Sequence, residues 1–353
     1  MIRVMLVDDS PVAIAILKRM LSKSAEIEVV GTAGNGMEAL NLIPQVKPDV
    51  ICTDLHMPVM DGLEFTKKVM ARYSLPILLI SVSSFEGSHN AFKVLDAGAV
   101  DIFLKPGVND CERLTVELIT KIRIISGVHV FKRFRPDSAS GLGGAEIKAE
   151  KKICLPQSIV RIIVMGASTG GPQALRAILT DLPSDFPLPV ICIQHISQGF
   201  LQGLVDWLAT QCRMKVEIAK AGAVPQSGVI YFPQEETHLK LDGAGRFVLY
   251  SELPCDGHRP SVNVTMKAIA KYYGSTAVGV ILTGMGIDGS EGLLAIKNAG
   301  GITIAQDEKS SIVFGMPKQA IELDAARYVV PLDKIGPMIL NIALQHFERK
   351  YLT

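Results

Sequence analysis

Short apolar runs recur along this chain with room for a helix between them, and that alternation restricts the fold more than any other feature. Runs at 2–7, 28–33, 49–53, 76–81 and 100–104 read as strands, with amphipathic stretches at 11–22 and 36–43 among them. Strands that alternate with helices pair in parallel, because each helix carries the chain back to the starting end of the sheet. The pattern breaks over 126–157, where turn formers and charge replace apolar periodicity, and a linker is expected there. It resumes with runs at 160–165, 189–194, 216–219, 228–232, 247–250, 277–283, 301–305 and 327–331, and helices are expected over 172–180, 199–210, 260–273, 290–299 and 335–347. The expected fold is α/β: two doubly wound parallel-sheet domains over 1–125 and 158–353, the second the larger.

Composition removes several classes of function. A chain of 353 residues, 48% hydrophobic and 20% charged, can bury two cores of ordinary size. A net charge of +1 supplies no field to attract nucleic acid or an anionic membrane. No apolar run approaches the length of a bilayer span, and Asp8-Asp9 interrupts the N-terminal apolar run too early for a signal peptide. The six cysteines are scattered without a C-x-x-C pair, which favours buried free thiols of a cytoplasmic protein over disulfides or zinc ligands.

In a parallel α/β sheet, chemistry collects beyond the carboxyl ends of the strands. The first half places Asp8-Asp9 after its first run, Asp54 after its third, Ser81 at the end of its fourth and Lys105, held by Pro106, after its fifth. Three carboxylates crowded on one edge repel one another unless a cation sits among them, and hard oxygen ligands suit Mg²⁺. Together these residues form a phosphoryl-acceptor site in which Asp54 attacks phosphorus while Lys105, Ser81 and the metal neutralise the transferred oxygens. A single strand-end aspartate would ordinarily cap a helix, but the full set argues for the site. Ser83 shares the face of Ser81 and rivals it.

The second half carries Gly166-Ala-Ser-Thr-Gly-Gly171 directly after an apolar run, which fits the G-x-S-x-G pattern of an exposed nucleophile. A phosphate cradle is the rival reading, but neither G-x-G-x-x-G nor G-x-x-x-x-G-K-[ST] is present. His195 follows the next run and Asp288 lies just past another, so nucleophile, base and orienting carboxylate would meet at neighbouring strand ends. Backbone N–H groups of Met285 or Thr169 are candidate donors to an oxyanion. Each residue alone has a structural reading: Ser168 as a helix N-cap, His195 as a structural histidine, Asp288 as a cap for the helix opening at Ser290. The order Ser…His…Asp differs from that of α/β-hydrolases, whose late histidine would here be His346, in an apparent C-terminal helix.

Over roughly 1–123 the motifs Asp8-Asp9, Asp54-Leu-His-Met-Pro58-x-x-Asp61-Gly62 and Lys105-Pro106 resemble a response-regulator receiver domain, flavodoxin-like in fold. The resemblance implies that Asp54 is phosphorylated by a histidine kinase, and that Asp9, Asp54 and the His56 backbone carbonyl bind Mg²⁺, with Asp8 acting through water. Ile102 stands where receivers often carry an aromatic switch residue. From 158 to 349 the chain resembles the chemotaxis protein-glutamate methylesterase (CheB) family. The carrying motifs are Gly166-Ala-Ser-Thr-Gly-Gly171, Gln194-His195, Gly257-His-Arg-Pro-Ser261, Leu282-Thr-Gly-Met-Gly-Ile-Asp-Gly289 and Ile304-Ala-Gln-Asp-Glu…Phe314-Gly-Met-Pro. This resemblance implies hydrolysis of glutamate γ-methyl esters on cytoplasmic chemoreceptor helices, with methanol released, and in some members deamidation of receptor glutamines. Ser168 would attack, His195 act as base, Asp288 orient it and the Met285 amide help to bind the oxyanion; no cofactor serves the ester chemistry. His258 and Arg259 are candidate substrate-edge groups or a turn before the next helix. The receiver is expected to cover the active site until phosphorylated. Ile196-Ser after His195, the loop Pro233-Gln-Glu-Glu-Thr-His and Asn263 depart from family habit beside the groove. Two other readings remain: a receiver-controlled esterase or amidase with another protein substrate, and a signalling adaptor without catalysis.

Overall fold

The structure is a computed structural model that describes residues 1–82, 85–107, 112–128 and 159–350, so Ser83 and most of the expected linker lie outside the described residues. Its first unit alternates β1 (Ile2–Val7), α1 (Pro11–Leu21), β2 (Ile27–Ala33), α2 (Gly36–Val46), β3 (Val50–Asp54), α3 (Gly62–Arg72), β4 (Ile77–Ser81), α4 (Phe85–Ala97), β5 (Asp101–Leu104) and α5 (Glu112–Ser126). The five strands pair in parallel in the order β2-β1-β3-β4-β5. Polar residues at the strand–helix junctions start the helices: the side chains of Ser10, Asn35 and Asp61 accept backbone N–H groups of α1, α2 and α3. α5 runs through Ser126, so the residue expected to open the linker is still helical.

The second unit contains β6 (Ile162–Ala167), α6 (Gly171–Leu179), β7 (Val190–Gln194), α7 (Leu201–Gln211), β8 (Lys215–Ile218), β9 (Val229–Phe232), β10 (His238–Leu241), β11 (Phe247–Tyr250), α8 (Val262–Tyr273), β12 (Ala277–Ile281), α9 (Ser290–Asn298), β13 (Ile302–Gln306), α10 (Met316–Glu322), β14 (Tyr328–Val330) and α11 (Leu332–Lys350). Seven strands pair in parallel in the order β14-β13-β12-β6-β7-β9-β8. The inner strands β6, β7, β12 and β13 are buried along their whole length, as parallel strands covered by helices on both faces must be. Strand order reverses at β6, with β7 on one side and β12 on the other; such a switch point opens a crevice at the carboxyl edge.

The expected α/β architecture and nearly all of its strands are present, with local differences. β10 was not expected; it forms an antiparallel hairpin with β11, outside the main sheet and packed on α8. Its sequence, His-Leu-Lys-Leu, is too short and too mixed to declare a strand without its partner. α10 was likewise unexpected. α8 starts at Val262 rather than at 260, because Ser261 caps it by accepting the Val264 N–H at 3.3 Å. No helix among the described residues is long and apolar enough to cross a membrane.

Candidate active site

Ser168 follows β6, His195 follows β7 and Asp288 lies beyond β12, three adjacent strands at the switch point. The register Ala167↔Gln194 makes Ser168 and His195 equivalent next positions. The Gln194 amide ties those two strand ends together, donating to the carbonyls of Ser168 at 2.7 Å and His195 at 2.8 Å. Gly171 must be glycine for this to hold, because a Cβ there would collide with the Gln194 side-chain oxygen. In the sequence Gln194 stands out only as part of a motif; its role depends on the neighbouring strand. Ser168 is not the helix cap, since Gly170, with φ of 75°, occupies that position without a side-chain bond.

His195 Nε2 lies 2.9 Å from Asp288 Oδ2, with both side chains buried. A neutral ring that gives its Nε2 proton to Asp288 keeps its lone pair on Nδ1, and that buried atom has no hydrogen-bond partner among the described residues. Asp288 does not cap α9, as its position before Ser290 had allowed. It accepts instead from the first turn of α8: Ser261 Oγ at 2.9 Å and the N–H groups of Val262 and Asn263, each at 2.8 Å. Burial alone would raise the pKa of this carboxyl, but His195 and the two backbone donors outweigh it and hold Asp288 below the usual aspartate value. The sequence did not mark Ser261 or the α8 N-terminus as part of the site; the only signal was the Gly257-His-Arg-Pro-Ser261 motif.

Candidate oxyanion donors sit beside the serine. Neither the Met285 nor the Thr169 backbone N–H donates elsewhere among the described residues. Gly284, just before Met285, packs so closely that a Cβ would lie 2.7 Å from Ser168 Cβ. His258 is stacked on His195, with ring centroids 3.7 Å apart and planes within 4°.

The first unit meets the second at this edge. Asp101 at the start of β5 accepts the Thr169 hydroxyl at 3.0 Å and pairs with Lys121 of α5 at 2.6 Å. Gln173 donates to the Ala99 carbonyl at 2.8 Å. Asp96 of α4 pairs with Arg176 and accepts Trp207 Nε1–H at 3.1 Å, while the Phe92 and Trp207 rings stack 5.5 Å apart. The α4–β5–α5 face thus lies against the residue that follows the candidate nucleophile. None of these pairs was anticipated, since no local pattern marks them.

On the first sheet, Asp8, Asp9 and Asp54 present carboxylate oxygens within 4.8 Å of one another. Lys105 Nζ reaches Asp54 at 2.8 Å and Asp8 at 2.7 Å. Burial, partly offset by Lys105, raises Asp8 above the usual aspartate range. Burial also opposes the Lys105 ammonium, but its bonds to Asp54 and Asp8 outweigh that and raise its pKa. Ser81 Oγ, at the end of β4, is buried without a hydrogen-bond partner among the described residues. Ile102 is fully within the core, so it is no exposed switch residue. His346 lies in α11, a helix outside the switch-point edge, as its sequence had indicated.

Comparison with known proteins follows the same division. Residues 163–339 match the CheB methylesterase family and residues 4–117 the response regulator receiver domain. A protein-glutamate methylesterase/protein-glutamine glutaminase of Nitrosospira multiformis is 38% identical, with 99% of each chain covered. Another of Methanospirillum hungatei is 39% identical over the full length of both. Among solved structures, the Thermotoga maritima CheB methylesterase catalytic domain covers 52% of this chain and 98% of its own, with 37% identity and a TM-score of 0.51.

Proposed function

The chain belongs to the CheB methylesterase family and carries a response regulator receiver domain, and from that premise we propose how its own residues perform and control the reaction. The enzyme is a phosphorylation-regulated protein-glutamate methylesterase and protein-glutamine glutaminase of chemotaxis. The observation that carries our assignment is the 2.9 Å His195–Asp288 bond beside Ser168 at the switch point. His195 Nδ1 takes the Ser168 proton as the hydroxyl oxygen attacks the ester carbonyl, and Asp288 steadies the imidazolium that forms. The Met285 and Thr169 N–H groups hold the oxyanion. Collapse of the tetrahedral intermediate expels methanol, protonated by His195, and leaves an acyl-Ser168. Water, deprotonated by the same ring, releases the glutamate carboxylate. A glutamine side chain follows the same path with ammonia leaving.

We divide the chain into a receiver over 1–125, whose last helix runs one residue further through Ser126, a linker from there to 157 and a catalytic domain over 158–353. Asp54 is the phosphoacceptor, Lys105 and Ser81 its phosphoryl-binding partners. The carboxylate set fits a Mg²⁺ ion held by Asp9, Asp54 and the His56 carbonyl, with Asp8 through water; such an ion supplies positive charge for phosphoryl transfer. The closed face built from Asp96, Ala99, Asp101 and Lys121 keeps substrate from Ser168, and phosphorylation favours its release. The kinase is a histidine kinase, the substrates are methylated cytoplasmic helices of chemoreceptors, and the site of action is the cytoplasm. Neither nucleic acid nor membrane insertion is involved. Methanol release from methylated receptor membranes, with Mg²⁺ and a small phosphodonor, tests this reading. It should be stimulated by the donor and vanish in Ser168→Ala; release that survives Ser168→Ala would refute the nucleophile.

A further inference from the structure

The segment between β11 and α8 does more than hold Asp288. Its residues Cys255 and His258 exchange backbone hydrogen bonds of 3.1 and 2.9 Å, closing a tight turn through Asp256 and Gly257, whose φ values are 52° and 80°. Asn263 Nδ2 braces the turn by donating to Asp256 at 2.8 Å, while its own oxygen accepts the Gly292 N–H at 2.7 Å. Arg259 anchors the far side, donating to the Glu252 carbonyl at 3.0 Å and pairing with Glu236. The product of this bracing is the parallel stack of His258 on His195, 3.7 Å between centroids and 4° between planes.

We propose that His258 is a positioning residue for the hydrolysis: its ring, laid flat on His195, fixes the plane in which Nδ1 meets Ser168 and shields that face of the base from water. The inference rests on the serine-hydrolase reading above and adds a group that the triad does not include. Asp288 holds His195 at one atom, Nε2. A single hydrogen bond leaves a ring free to rock about that axis, and a stacked partner removes the freedom. Two imidazoles in this arrangement work only if no more than one is charged. Burial, helped by His195 and more weakly by the Lys121 charge on α5, opposes protonation of His258, and the opposing pull of Asp288 and Asp256 does not overcome it. A neutral ring therefore faces the imidazolium that His195 becomes during proton transfer. Such a role differs from a substrate contact, which would act through binding, and from a role for the His258 nitrogens, which a plain aromatic ring cannot replace.

The test compares His258→Ala, His258→Phe and His258→Gln in the full chain with Mg²⁺ and a phosphodonor. Two rates are read: labelling of Ser168 by a fluorophosphonate, which needs no receptor, and methanol release from methylated receptor membranes. Loss of the stack should slow labelling and lower kcat by about 10- to 100-fold in Ala and Gln, with KM little changed, because a small misplacement of a reacting group costs about that much. The Phe variant, flat but without nitrogens, should restore most of both rates. Should Ala prove unfolded by circular dichroism, the Phe and Gln pair still decides. A Phe variant as slow as Gln, an Ala variant as fast as wild type, or an effect confined to KM would overturn the proposal. Wild-type labelling without methanol would refute the substrate and leave His258 judged by labelling alone. Failure of the wild type to label would refute the triad, and this role with it.

Discussion

Replacing Asp96 by alanine should switch the enzyme on without phosphorylation. Asp96 belongs neither to the Ser168–His195–Asp288 set nor to the acidic cluster around Asp54, yet it pairs with Arg176 and accepts the Trp207 Nε1–H across the interface. Both charged side chains are about one-quarter exposed, at 25% and 28%, so the ion pair is worth less than a buried one. A hydrogen bond to a charged group contributes about 1.5–3 kcal/mol, and the exposure argues for the lower half of that range. A loss of about 2 kcal/mol raises the opening constant about thirtyfold. A protein open about one part in a hundred would then be open about a quarter of the time. The assay is methanol release, or fluorophosphonate labelling of Ser168, without a phosphodonor. The basal rate should rise more than tenfold while the fully phosphorylated rate stays unchanged. An unaltered basal rate, with phosphorylation dependence intact, would show that this contact does not hold the closed state.

Asp54→Asn should abolish stimulation by a small phosphodonor and leave the basal rate in place; continued stimulation would move the acceptor elsewhere. Asp288→Asn puts an amide donor among Ser261 Oγ–H and two backbone N–H groups and removes the acceptor that selects the His195 tautomer. We expect kcat to fall by about three to four orders of magnitude and stability by about 1–3 kcal/mol, read by kinetics and urea unfolding. His258 supplies a pH signature. Its pKa is pushed down to about 4 by burial, by His195 and by Lys121, so between the unfolded-state value near 6.5 and about 4 the unfolded chain binds the extra proton. Stability should therefore drop as the pH is lowered from about 6.5 to about 4, by on the order of 3 kcal/mol, and His258→Phe should flatten the slope in urea titrations.

Much of the site was legible because parallel α/β folds put strand ends at one edge. Ser168, His195, Asp288, Asp8, Asp54 and Lys105 each follow an apolar run, and that placement needs only local periodicity. The β10–β11 hairpin escaped notice because a four-residue mixed strand is defined by its partner. Asp288 was open to misreading as a cap for the next helix, when its donors come from a helix about 25 residues earlier in the chain.

Local patterning was enough for the architecture and the chemical inventory: two alternating patterns, an acidic edge with a lysine on the first, and serine, histidine and aspartate on the second. Periodicity and strand-end placement are local properties, so they survive without coordinates. Which atoms meet depends on how the strands and domains pack. That packing puts β6 between β7 and β12, binds Asp288 into the α8 first turn, lays His258 on His195 and brings Asp101 to the Thr169 hydroxyl. Those contacts join segments far apart in the chain, and their partners are set by strand order and domain packing, to which no single stretch of residues is sensitive.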